Sequence, residues 1–408
     1  MTSSLHITKP DRPELAKHDA SILDLVFAMD CTGSMASYIQ SARDNIRAIV
    51  EEIVVSEKSD VRLALVEYRD HPPQEATFVT RVHDFTSKVN EMKRWLEQCQ
   101  AHGGGDGPEA VADALHDVLK LSWRIQSTKI AILISDAPPH GLDPVGDGFP
   151  NGCPAGLDPL QIVRDMAQKH ITLYTVGVEP PIMPYRDFFM SLAYITGGQY
   201  VPMINAKLLA KVIIGGVREE ISLDHLMQNA QEDIDREMKK AEAEGVDEKE
   251  KAKRIAHLFA SKNMYVQQMA NVAGAHSTLA KESYSKCTNM FQMQQQFQAQ
   301  QPPPSMYYQQ AVAPSFIRPP VPLSYIQQAP PPPFVQHPLT GASYQRMQPP
   351  PYAQPPLPGA SYQQMQPLAY SAISTDVKTD EMNYDLLANQ EVSEEQAARI
   401  VQKWQNRT

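Results

Sequence analysis

Asp30, Thr32 and Ser34 place one carboxylate and two hydroxyls on alternate positions of the stretch "LDLVFAMDCTGSM", directly after an apolar run that begins at Leu23. An unpaired carboxylate at the edge of a core costs several kcal/mol unless hydrogen bonds, a countercharge or a metal offset it. Hard divalent cations favour oxygen donors of this kind, and Mg²⁺ retains waters around a few of them. Further donors must then come from loops at the same end of the fold. Asp136 follows the apolar run "KIAILIS", and Asp106 sits in "GGGDGPE", where Gly103, Gly104 and Gly105 allow close backbone approach. The competing reading of the first motif is an ordinary turn, with Asp30 accepting amides at a helix N-terminus.

The elements that must position these residues alternate β-branched runs with amphipathic stretches from Ser21 to about Asp224. This pattern predicts an α/β fold with a doubly wound, mostly parallel six-stranded sheet covered by helices. The expected strands are Leu23–Met29, Val61–Tyr68, Thr77–Asp84, Lys129–Ser135, Ile171–Val178 and Gln199–Met203. The expected helices are Ala36–Ser56, Ser87–Cys99, Pro108–Leu121, Leu160–His170 and Arg186–Ile195. Pro108 at a first helical position, Glu109 in the first turn and Gly197-Gly198 after a last one follow the usual helix asymmetry. In such a sheet, ligands bind beyond the carboxyl ends of the strands where strand order reverses, and Asp30 and Asp136 both fall at such ends.

Here the motifs converge on a resemblance. The set "DCTGS", "GGGDG" and "ISDAPPHG" resembles the metal-ion-dependent adhesion site (MIDAS) of von Willebrand factor A domains. The wording "YRDHPPQE", "GGGDGPEA" and "DAPPHG" is most similar to the A domains associated with alpha-type protein kinases. The resemblance implies one Mg²⁺ or Mn²⁺ held by Asp30, Thr32, Ser34, Asp106 and Asp136. Asp106 stands where many members have threonine, and its extra charge should hold the cation more tightly while making it less electrophilic toward an acidic residue of a protein partner.

The rest of the 408-residue chain is divided as follows: a tail over 1–20, the A domain over 21–225, a charged helical appendage over 226–290, a disordered Pro/Gln/Tyr-rich arm over 291–372 and a C-terminal segment with a short helix over 373–408. In the appendage Glu and Lys recur three or four apart, as on a solvated helix face, a helical partner-binding surface being the alternative. Of 34 prolines, those from Pro302 to Pro367 crowd into the arm, where "PLTGASYQRMQP" recurs as "PLPGASYQQMQP". Pro349, Pro350 and Tyr352 satisfy P-P-x-Y, which predicts a WW-domain partner, beside the alternative of a plain spacer. Ser393 and Gln396 form a capping-box signature ahead of an apolar seam of Ala397, Ile400, Val401 and Trp404.

A net charge of −10 offers no electrostatic footprint for nucleic acid, and no Lys/Arg cluster or apolar span points to a membrane. The first twenty residues lack an apolar signal core, and Cys31, Cys99, Cys153 and Cys287 lack metal-knuckle spacing, so a cytoplasmic setting with reduced thiols is expected. His71, His102 and His140 fall in loops at the Asp30 edge, as solvated turn residues or as a second, transition-metal site. No phosphate-cradling G-x-x-x-x-G-K-[ST] occurs, Thr32 stands where an aspartyl-phosphate enzyme wants a second carboxylate, and low-complexity sequence leaves no room for a kinase domain. The expectation is a non-enzymatic adaptor that uses the metal to assist protein–protein contact, or alternatively a component of an alpha-kinase-related pathway without its own catalytic domain. A metal-dependent phosphotransfer enzyme is a weaker third reading.

Overall fold

In the computed structural model, described over residues 19–57, 60–203, 205–270, 276–301 and 385–407, a six-stranded sheet runs in the order β3-β2-β1-β4-β5-β6. Its strands are β1 (Asp19–Asp30), β2 (Asp60–Tyr68), β3 (Thr80–Thr86), β4 (Ser127–Ser135), β5 (Ile171–Val178) and β6 (Tyr200–Met203). All pairings are parallel except β2 with β3. The sheet core matches the expected strands closely. The edge strand is displaced from Thr77–Asp84 to Thr80–Thr86, because antiparallel pairing places Thr80 opposite Tyr68 at the carboxyl end of β2.

Alternation along β1 divides the core into two layers. Leu23, Leu25, Phe27 and Met29 face a cluster shared with Ile39, Ile49 and Ile53 of α1 (Ala36–Glu57), Leu96 of α2 (Val89–Gln98) and Ile213 of α6 (Leu209–Asn229). Val26 and Ala28 face the opposite cluster, with Val111 and Leu115 of α3 (Val111–Lys120), Leu160 and Val163 of α4 (Pro159–Gln168) and Phe188 of α5 (Arg186–Thr196). Asp158 caps α4 by accepting from Leu160 N at 2.9 Å, and Gly197 closes α5 at φ 73°, a left-handed conformation that suits glycine. Pro108 and Glu109 lie outside α3, contrary to the helical reading. Glu109 N donates to Pro138 O and Ala110 N to Arg69 O, so two neighbouring loops hold this segment extended and delay the helix to Val111.

The expected charged helices appear as α7 (Gln231–Ala243) and α8 (Glu248–Ser261), followed by strand β7 (Tyr265–Met269) and helices α9 (Thr278–Glu282) and α10 (Met290–Gln300). Residues 291–300, assigned from composition to the arm, instead continue α10, whose Met290, Met293 and Phe297 are buried against the α4 side of the core. The remainder of the arm, including Pro349, Pro350 and Tyr352, lies outside the described residues.

The terminal helix α11 (Glu394–Arg407) follows β8 (Leu386–Glu391), which pairs antiparallel with β7. Its capping box is formed: Gln396 N donates to Ser393 Oγ at 3.2 Å and Ser393 N donates to Gln396 Oε1 at 3.2 Å. The seam of Ala397, Ile400, Val401 and Trp404 packs with Ile234 of α7 and Ile255 and Phe259 of α8. Beside it Arg399 is 1% exposed and donates to Gly197 O, Gln199 Oε1, Glu219 Oε2, Tyr174 OH and Glu220 Oε2 at 2.6–3.2 Å. Lys403 adds a second ion pair to Glu220. Removing one member of such a network strands buried charge. Arg399→Leu is therefore expected to lower the unfolding free energy by about 3–5 kcal/mol in a denaturant titration; a loss under about 1 kcal/mol would show that the Arg399 network adds no net stability and that α11 is held by its apolar seam.

Candidate metal centre

β1 and β4 are neighbours across the point where strand order reverses, and Met29 stands opposite Ile134. Asp30 and Asp136 consequently leave adjacent strand ends together, as the strand reading requires. Asp30 Oδ1 accepts from Thr32 N at 2.9 Å and Thr32 Oγ1 at 2.7 Å, and Thr32 Oγ1 lies 3.3 Å from Ser34 Oγ. The nearby Ser34 hydroxyl in turn favours the charged form of Asp136. Four of the expected residues, Asp30, Thr32, Ser34 and Asp136, thus form one group.

Asp106 belongs to a different part of the cluster. Its Oδ2 accepts from Gly148 N at 2.5 Å, and besides burial it is the charge of Asp70 that raises its carboxyl. The position next to the first group is taken by Glu109, a residue not singled out as a ligand. The glycine loop explains the close approach: Gly104 has φ 90°, and a Cβ there would come within 3.3 Å of Glu109 Oε1 and 3.6 Å of Thr32 Cβ. Asp70 was also missed, although it follows the carboxyl end of β2 by the same logic that singled out Asp30 and Asp136. Glu109 carried no such signal, since an acid at a helix start has an ordinary explanation.

Asp30 Oδ2, Asp70 Oδ2, Asp106 Oδ1 and Glu109 Oε2 are buried and have no hydrogen-bond partner among the described residues. Burial and the charge of Asp136 push the Asp30 carboxyl up to about 7. Burial together with Asp30, Asp70, Asp136 and Asp106 pushes Glu109 up to about 10, and burial also raises Asp136 and Asp106. Crowded, desolvated carboxylates of this kind resist ionisation unless a cation joins them. The donor set is all oxygen, with hydroxyls at its edge, and fits Mg²⁺ or Mn²⁺.

Nearby cations neutralise the group only in part, His140 at Asp70 and none at Asp30. Arg69, 5% exposed, donates to Cys31 O, Gln100 O and Thr77 Oγ1, and its nearest carboxylate is Glu75 at 3.8 Å. His140 bridges Asp70 Oδ1 at 2.6 Å and Asp147 Oδ1 at 2.8 Å; burial disfavours its charged form, but Asp147 and Asp70 outweigh this and lift it to about 9. His71 comes within 5.8 Å of the His140 ring, whereas His102 is exposed on the glycine loop.

Against this geometry, residues 24–143 match the family model for the von Willebrand factor A domain, so the chain contains a domain of that class. The alpha-protein kinase vwkA of Dictyostelium discoideum is 30% identical over 155 residues, covering 37% of this chain and 24% of that protein. The putative ariadne-like RING finger protein R811 of Acanthamoeba polyphaga mimivirus is 25% identical over 202 residues, covering 48% of this chain and 20% of that protein. The chain therefore spans a quarter or less of the length of these relatives. Among solved structures, a von Willebrand factor type A protein from Catenulispora acidiphila aligns at 16% identity over 49% of this chain and 43% of that one, with a TM-score of 0.36. The pilus adhesin SpaC from Lactobacillus rhamnosus GG aligns in its open conformation at 12% identity over 51% of this chain and 31% of that one, with a TM-score of 0.38.

The raised groups give the chelated protein a definite pH dependence. Folded values above unfolded ones mean stability that is whole at low pH and lost as pH rises, through about 7 for Asp30 and about 10 for Glu109. His140 acts in the same direction, its contribution disappearing as pH rises through about 9. In EDTA the unfolding free energy is expected to fall between about pH 5 and about pH 9, and saturating Mg²⁺ to remove the carboxylate part of that slope. A chelated profile that is flat or rises with pH would contradict the cluster's electrostatics.

Proposed function

We propose that the domain binds one Mg²⁺ or Mn²⁺ through Asp30, Ser34, Asp136 and Glu109, with Thr32 orienting Asp30 and with Asp70 and Asp106 as the flanking acidic shell. The observation that carries this reading is the set of buried carboxylate oxygens without donors at the carboxyl ends of β1 and β2 and in the loop before α3, beside Asp136 at the end of β4. A bound cation would supply the missing countercharge and order the loops at 30–35, 102–109 and 136–148. No residue of the cluster is arranged as a nucleophile beside a separate base, so the cation's use is in contact rather than turnover.

Von Willebrand factor A domains generally mediate protein–protein interactions. The function we infer is that of a cytoplasmic adaptor whose metal edge engages a protein partner, with the proline-rich arm recruiting further modules such as a WW domain. So many carboxylates around one cation leave it weakly electrophilic, so an acidic partner residue would add less to binding than the shape of the ordered loops. Among the described residues no helix is long and apolar enough to cross a membrane. The likeness to vwkA favours a second reading, in which the chain acts in an alpha-kinase-related pathway.

Calorimetric titration of Mg²⁺ into the full chain is expected to show saturable binding at one site. Asp136→Ala and Glu109→Gln should weaken it by about 10-fold or more, and Asp106→Asn by less. Equal losses in Asp106→Asn and Glu109→Gln would return Asp106 to the inner group, and no binding in the unmodified chain would remove the metal reading. A protein partner that co-purifies in Mg²⁺, elutes with EDTA and is lost with Asp136→Ala would support the adaptor function.

A further inference from the structure

A second convergence lies outside the carboxylate cluster and has a different chemistry. His71 comes from the loop after β2, Asp113 from the first turn of α3 and Cys153 from the loop between β4 and α4. Asp113 Oδ2 lies 2.9 Å from His71 Nε2 and 3.2 Å from Cys153 Sγ, and that sulfur lies 3.7 Å from the same Nε2. The donor atoms all fall within 4.8 Å of one another.

The triangle could be mistaken for a nucleophile relay. In a relay the thiol would meet one imidazole nitrogen and the carboxylate the other, so that the acid orients the base. Here thiol and carboxylate both meet Nε2. Three donors pointing at one another around a common centre is the arrangement of ligands, and the sulfur, nitrogen and oxygen set suits Zn²⁺ while sulfur disfavours Mg²⁺ and Ca²⁺.

The surroundings support each donor. Ala155 N donates to Cys153 Sγ at 3.3 Å, a contact that favours a thiolate. His71 N donates to Asp70 Oδ1 at 2.5 Å, and the His71 ring packs edge-on to Phe149 at 5.7 Å. The side chains of His71 and Asp113 are 9% and 13% exposed, so the site is nearly closed but reachable from solvent.

We propose that His71 Nε2, Asp113 and Cys153 Sγ bind a Zn²⁺ ion, with a fourth position left to water or a partner group. The ion ties together three segments far apart in the chain. Because Asp70 immediately precedes His71 and carries one of the donorless oxygens of the first cluster, the zinc site anchors a wall of the Mg²⁺ site without sharing a ligand with it.

The test uses the full chain, stripped with chelator and titrated with Co²⁺ in excess Mg²⁺, so that the all-oxygen cluster is saturated with the harder ion. One equivalent of Co²⁺ should bind with a near-ultraviolet sulfur-to-cobalt charge-transfer band and visible bands of tetrahedral intensity, all displaced by Zn²⁺. Cys153→Ser should abolish the charge-transfer band, Asp113→Asn should weaken Co²⁺ binding by about 10-fold or more, and Cys99→Ser should change neither. Circular dichroism shows whether each variant folds, and the Co²⁺ affinity of Asp113→Asn decides the matter should Cys153→Ser not fold. No sulfur-to-cobalt band in the unmodified chain, a band that survives in folded Cys153→Ser, or unchanged affinity in Asp113→Asn would overturn the proposal.

Discussion

The structure is organised around buried negative charge that the protein's own cations compensate fully in one place and only in part in another. β1 carries two fully buried aspartates with opposite fates, and they make a controlled comparison within one strand. Asp24, near the amino end, accepts from Arg62 Nε, Arg124 N, Arg124 Nε and Ser127 Oγ at 2.7–3.0 Å. Burial raises its carboxyl, but the two arginines overcome this and hold it below the usual range. Asp30, at the carboxyl end, meets the hydroxyl and amide of Thr32 and the acid Asp136, and burial with that neighbouring charge drives its carboxyl up. Both sites cost desolvation, but only the first is closed by the chain's own cations.

The same contrast holds across the molecule. Where the fold needs buried charge for its own cohesion, it pairs it completely, as Arg399 and Lys403 of α11 do with Glu219 and Glu220 of α6. At the strand ends, the buried guanidinium of Arg69 is turned to the carbonyls of Cys31 and Gln100. Arg69 thus shapes the loops that hold the carboxylates while leaving their charge for a cation to balance. Terminal-helix docking and the carboxylate edge confront one physical problem, the cost of a charge out of water.

What could be read from the residues follows from what each signal measures. Strand runs such as "KIAILIS" are apolar on both faces because helices cover both, so the parallel sheet was legible, and the two acids at adjacent strand ends came with it. The seam and capping box of α11 were also legible, because local periodicity and caps need no tertiary knowledge. Asp106 and Glu109 were not distinguishable: three residues apart in one loop, their side chains are sorted by backbone bonds from Glu109 N to Pro138 O and Ala110 N to Arg69 O, which are long-range. Residues 291–300 read as part of the arm because glutamine dominates, yet three apolar side chains at i, i+3 and i+7, Met290, Met293 and Phe297, suffice to seat the helix. Cys153 was isolated by spacing alone, since its neighbours His71 and Asp113 are brought to it by the sheet.

The most direct test of the central claim is a crystal structure of the full chain grown with Mn²⁺, with anomalous scattering recorded to locate the ion. The account predicts a single strong peak enclosed by Asp30, Ser34, Glu109 and Asp136, with Asp106 outside its first coordination sphere. A Mn²⁺ peak held by Asp106 and not Glu109, or none at the carboxyl ends of β1 and β4 at saturating Mn²⁺, would contradict it.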